Sequence, residues 1–119
     1  MSEALERLYE YYNSREFNKY EERIILSFID YFKNNDDSET ISNDDIFEIV
    51  DSNVDIYYDD LLDWLSYDLN NVYYVEDAFN EYGVDGEFDF FKVVAIGQFK
   101  FLEEIAYDIL NECDIEIKD

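Results

Sequence analysis

Between Asn34 and Phe91 the chain runs for 58 residues with eighteen Asp and Glu and not one Lys or Arg. A helix in such a stretch lacks the i,i+4 Glu–Lys pairs that ordinarily support surface helices by about 0.2–0.5 kcal/mol each. Any order there has to come from burial of apolar side chains, against the mutual repulsion of the carboxylates. Residues 1–33 are close to balanced, with seven acids and five bases, and residues 92–119 carry seven acids and three bases. The acidity therefore belongs mainly to the middle of the chain.

The apolar side chains needed are present. Phe, Leu, Ile, Val and Met number 39, with 12 Tyr and one Trp besides, which sets this sequence apart from acidic tails too poor in aromatic and β-branched residues to fold. A length of 119 residues fits one modest hydrophobic core, so a single domain over 1–119 is expected. A lone thiol, Cys113, offers no disulfide within the chain. MSEALERLYEYY has neither a basic n-region nor a long apolar run, so the expected setting is a reducing cytoplasm, with no membrane span.

Helical spacing recurs along the chain. Leu5, Leu8 and Tyr12 behind Ser2 predict a short helix over 2–12. From Ser14 onward Phe17, Tyr20, Ile24, Phe28 and Tyr31, widened by Ile25, Ile29 and Phe32, predict a central helix that stops in the polar run NNDDSET at 34–40. Ser42 offers an N-cap with Asp45 at N3, opening a helix of about two turns with Phe47 and Val50 inward and Asp44, Glu48 and Asp51 outward.

Over 55–70, Tyr58, Leu61, Leu62, Leu65 and Leu69 form one arc and Asp55, Asp59, Asp60 and Asp63 the opposite one, until Asn70 and Asn71 interrupt. Over 72–82, Val72, Val75, Phe79 and Tyr82 are expected inside and Glu76, Asp77 and Glu81 outside, with Gly83 as the C′ residue before the loop at 84–87. Residues 88–112 admit two readings. Phe91, Val94, Ala95, Leu102, Ile105, Ala106 and Ile109 favour a helix in which Gly97 permits a close crossing, at ~1 kcal/mol relative to Ala. Alternation in FDFFKVVAIGQFKF instead suits a short hairpin near 87–101. The expected fold is all-α, a compact bundle of five to six helices, with α+β as the alternative.

A formal charge of −24 repels phosphate backbones and anionic membranes, so direct nucleic-acid or membrane binding is not expected. Without His, and with one Cys, the chain has no ligand set for zinc and no nucleophilic triad. DSNVDIYYDDLL at 51–62 begins like a calcium loop, with Asp51, Asn53, Asp55 and Asp59 at positions 1, 3, 5 and 9. It fails at Ile56, where the turn needs Gly, and at Leu62, where a bidentate Glu should close the shell. No enzyme activity, metal or cofactor is expected.

The acidity itself remains to be explained. A solvated face that keeps the protein soluble is the plain reading, but solubility asks for a net charge of magnitude only about 2–8 in a small domain. Asp55, Asp59 and Asp63, stepping along one helix face at about 6 Å, approximate instead the linear charge of a nucleic acid, ~3.4 Å per phosphate on each strand. The expected contact surface comprises Asp44, Asp45, Glu48, Asp51, Asp55, Asp59, Asp60, Asp63, Glu76, Asp77 and Glu81. Trp64, between the arcs of its helix, is added as an aromatic anchor.

This acidic, helical, aromatic-rich layout, above all in residues 34–91, resembles the DNA-mimic proteins that phages and mobile elements use against host defence, including antirestriction and anti-CRISPR inhibitors. DSNVDIYYDDLLDWL at 51–65 and FDFF at 88–91 also look like small proteins of phages from low-GC bacteria. The resemblance implies a basic nucleic-acid-binding partner, a defence nuclease such as a CRISPR effector or restriction enzyme, in the cytoplasm of a bacterial host; no residue's role is carried over from it. The rival expectation is an acidic adaptor or chaperone-like module that binds a basic protein without competing with nucleic acid. A homodimer pairing the Tyr-rich flanks is compatible with either.

Overall fold

The structure, a computed structural model, describes residues 2–35, 37–82 and 89–118. Among them are six helices and two three-residue strands: α1 (Glu3–Ser14), α2 (Lys19–Asn34), β1 (Thr40–Ser42), α3 (Asn43–Asn53), α4 (Tyr58–Tyr67), α5 (Asn71–Tyr82), α6 (Phe90–Glu112) and β2 (Glu116–Lys118). The all-α expectation holds, and the hairpin alternative does not, since residues 90–101 are helical. Gly83 and the loop at 84–87 lie outside the described residues. The chain groups into two compact units, Met1–Asn53 with Leu102–Asp119, and Val54–Phe101, so that α6 contributes to both.

In the first unit the helix starts follow from capping. Ser2 Oγ accepts the Leu5 N–H at 3.1 Å, and the Glu39 carboxylate accepts those of Glu3 and Ala4 at 2.9 and 3.0 Å. A residue 35 positions away thus supplies the negative group that the first turn of α1 attracts. Asn18 and Glu21 form a reciprocal capping box that starts α2 at Lys19 rather than near Ser14. Ser42 Oγ accepts the Asp45 N–H at 3.1 Å, the expected N-cap of α3. Leu5, Leu8, Tyr20, Ile24, Ile25, Phe28 and Phe32 are buried with Ile46, Val50, Leu102, Ala106 and Leu110. Phe47 does not join them: it is 55% exposed, and Ile46 holds the inward position one residue earlier.

α6 ends in a Schellman pattern built on Asp114 rather than glycine. Asp114 has φ 52, its N–H donates to Asn111 O at 3.2 Å, and the Ile115 N–H reaches Leu110 O at 2.9 Å. Arg7 covers the same end, donating from Nε to Cys113 O at 2.7 Å. The reversal delivers β2 parallel to β1, with Thr40 opposite Glu116 and Ser42 opposite Lys118. Nothing in the periodicity predicted this pairing, because each strand is only three residues long.

In the second unit the core-facing arcs are rotated from those the periodicity suggested. Leu61 and Trp64 are the fully buried positions of α4 and Ala78 that of α5, and Val94 of α6 is buried as well. Leu69 is 92% exposed, and Tyr58, Val72, Phe79 and Tyr82 are exposed too, contrary to their expected inward placement. α4 stops at Tyr67 because the chain turns at Asp68, whose Oδ1 accepts the Asn70 N–H at 2.8 Å and whose carbonyl accepts that of Asn71 at 3.0 Å. Buried Asn71 Nδ2 then donates to the Trp64 carbonyl at 2.8 Å. Gly97 provides the close crossing expected of it: a Cβ there would stand 3.0 Å from Cα and N of Val75.

Candidate partner-binding surface

The acidic candidates divide between the units. On α3, Asp44, Glu48 and Asp51 recur at i, i+4 and i+7 and are exposed together. Asp45 turns away from them: its Oδ2 accepts the Tyr31 hydroxyl at 2.8 Å, and burial followed by that carboxylate pushes the phenol up to about 12. Asp45 has a structural partner and is only half exposed.

On α4, Asp59, Asp60 and Asp63 are exposed, Asp63 one turn beyond the other two. Glu76 and Asp77 are exposed on α5. Among the described residues none of these five carboxylates lies within ion-pair distance of a base; the pairs formed include Arg7–Glu3, Arg15–Glu21 and Lys100–Glu81. Glu81 is therefore already neutralised, and its hydrogen bond raises the Lys100 pKa.

Two candidates leave the surface. Asp55 precedes α4 instead of riding on it. Its N–H donates to Gln98 Oε1 at 2.7 Å and its Oδ2 accepts from Gln98 Nε2 at 2.8 Å. Gln98 is fully buried, so Asp55 satisfies a buried amide and cannot complete a row with Asp59 and Asp63. Trp64 has 0% exposure and packs on Phe101 with ring centroids 5.5 Å apart, so it is core and not an anchor for a partner.

The anchors that the sequence reading missed are elsewhere in the same unit. Of fourteen exposed large hydrophobic residues among those described, eleven lie between Ile56 and Phe91. Leu69, Val72 and Tyr73 stand beside Asp68, Glu76 and Asp77 on the α4–α5 turn and the first turns of α5. The signal was in VYYV, residues 72–75: four consecutive apolar positions sweep around a helix, so no single face can bury them all.

Among the described residues no group of three or more His, Cys, Asp or Glu is placed to hold a metal ion. Asp51 and Asn53, positions 1 and 3 of the calcium-like segment, belong to the last turn of α3 rather than to a loop. No described helix is long and apolar enough to cross a membrane. Cys113 is buried, and burial pushes its thiol up to about 11, far from a reactive thiolate. No protein-family model, curated protein or solved structure matches the chain.

Proposed function

We propose that this chain is a non-enzymatic inhibitor that offers nucleic-acid-like charge to the basic groove of a nucleic-acid-binding protein, the partner being a defence nuclease in the cytoplasm of a bacterial host. One observation carries the reading: Asp59, Asp60, Asp63 and Glu76 are exposed without a basic partner among the described residues, and Asp77 is exposed with no ion pair and only the longer-range field of Lys100, inside a stretch of 58 residues that holds no base. Unrelieved repulsion of this kind costs stability, and the charge exceeds what solubility needs. A groove lined with Lys and Arg to hold phosphates attracts such a surface for the same reason, and its counter-charges steer the encounter.

The adaptor reading draws on the exposed apolar residues around Leu69 and Tyr73, which suit a protein partner whether or not that partner binds nucleic acid. Competition separates the two. The protein, immobilised, captures its partner from host lysate at low salt, and duplex or guide nucleic acid is then titrated in. Displacement of the partner is the expected result. A partner that stays bound while it also takes up nucleic acid would overturn the mimic and leave the adaptor.

A further inference from the structure

The protein's own cations, lysines as well as arginines, seat themselves over aromatic rings. Among the described residues, five of the eight bases stand over an aromatic ring: Arg15, Lys19, Arg23, Lys33 and Lys100. Arg15 and Lys100 show the cation meeting a ring and a carboxylate at once. The Arg15 guanidinium lies 4.1 Å from the centroid of Phe17 and 3.3 Å from Glu21 Oε2. Lys100 stands 6.0 Å from the Tyr82 centroid and pairs with Glu81.

The same pairing of ring and carboxylate recurs earlier on α5 with no described cation over the ring; Lys100, paired with Glu81, acts on Asp77 only through its longer-range field. Tyr73 and Asp77 are one turn apart on one stripe, and Glu76 lies on the adjoining stripe with Val72; all four are exposed. Leu69, 92% exposed, and Asp68 extend the patch onto the preceding turn. No base occurs within this stretch of sequence to fill it.

We propose that this face, Tyr73 with Asp68, Glu76 and Asp77 around Leu69 and Val72, is a docking site for arginine side chains of a basic protein partner. It rests on the reading that the partner is basic and adds which cation is preferred and what holds it. A guanidinium is planar and weakly hydrated, stacks flat on a ring and forks onto a carboxylate, while the arginine stem covers apolar surface; an ammonium can stand over a ring, as Lys100 does, but neither stacks flat nor forks. A second copy of the chain is a poor occupant. Two molecules of charge −24 meeting through this face would set Asp68, Glu76 and Asp77 against their own kind.

The test uses the full chain with nona-arginine and nona-lysine peptides as probes, titrated by calorimetry at moderate salt. Nona-arginine should bind about two- to fivefold more tightly per ring engaged. Tyr73→Ala, which alters no charge, should abolish most of that preference. Tyr73→Phe, and Tyr57→Ala at another exposed tyrosine of the same unit, should keep it. Equal affinity for the two peptides, or a preference that survives Tyr73→Ala, would overturn the proposal. So would a concentration-dependent dimer, seen by sedimentation, that Tyr73→Ala dissolves. Because no nucleic acid enters this experiment, its outcome is independent of the displacement assay that tests the mimic.

Discussion

Gln98 illustrates how a residue in an acidic chain can be held by burial and not by charge. Its amide is fully enclosed and uses both ends on Asp55, one on the backbone N–H and one on the carboxylate. Gln98→Leu removes both bonds and strands the groups they satisfied, so the urea midpoint should fall by an amount equivalent to about 1–3 kcal/mol. Asp59→Asn, at an exposed position, should change stability by less than about 0.5 kcal/mol. Equal effects would mean that Asp55 is as free as its neighbours. Tyr31 gives a pH signature of the same kind. Its pKa is raised from 10 to about 12, first by burial and then by Asp45, so folding favours the neutral phenol. That contribution is complete below pH 10 and is lost as the pH rises through about 12. Tyr31→Phe should therefore be less stable at neutral pH yet lose less than the parent protein over that window, as followed by urea midpoints. Cys113, which titrates at about 11 in both proteins, cancels in the comparison.

At the scale of elements, the helices were legible because apolar spacing and polar interruptions are local, and their faces were less so. In α2 the spacing decides the face: Tyr20, Ile24, Ile25, Phe28, Ile29 and Phe32 are buried as expected, while Tyr31 at the edge of the stripe is only half-buried and Phe17 precedes the helix. Its start was misplaced because the Asn18–Glu21 box was not read as a start signal. α5 shows the weakness, because seven apolar residues in twelve leave the choice of face to the partners, and Asn71 and Ala78 are the buried positions. The β1–β2 pair and the Glu39 cap were out of reach, joining residues far apart in sequence through elements too short to leave a pattern. Gly97 was readable, and it yields a test. Gly97→Ala gains ~1 kcal/mol of helix propensity but thrusts a methyl against the backbone of Val75, which cannot swing aside. The net effect should be a loss of about 1–3 kcal/mol in chemical denaturation, as for other overpacked sites. A more stable variant would show that α5 and α6 are not in such close contact.

For the whole molecule the governing fact is a charge of −24 whose largest share lies in a stretch with no base. Some of those acids have internal tasks, Glu39 at α1, Asp45 with Tyr31 and Asp55 with Gln98. Salt should screen what remains, over a Debye length of about 10 Å at 0.1 M, so the melting temperature should rise between low and moderate sodium chloride. A fall would mean that the charged contacts of residues 1–33 outweigh the repulsion.

The central claim is that the exposed carboxylates of α4 stand in for phosphates, and the salt dependence of affinity for the captured partner tests it most directly. The comparison is between Asp59, Asp60 and Asp63 changed to Asn and, in the charge-balanced first third, Glu6, Glu10 and Glu16 changed to Gln. All six positions are exposed, and each set removes three charges from a chain of −24. Affinity measured at two salt concentrations should fall in the α4 variant, and its dependence on salt should flatten, because fewer ion pairs form on binding. The N-terminal variant should keep both near the parent values. Identical behaviour of the two variants, or full affinity in the α4 variant, would contradict the account and return the acidity to solubility or to a diffuse long-range field.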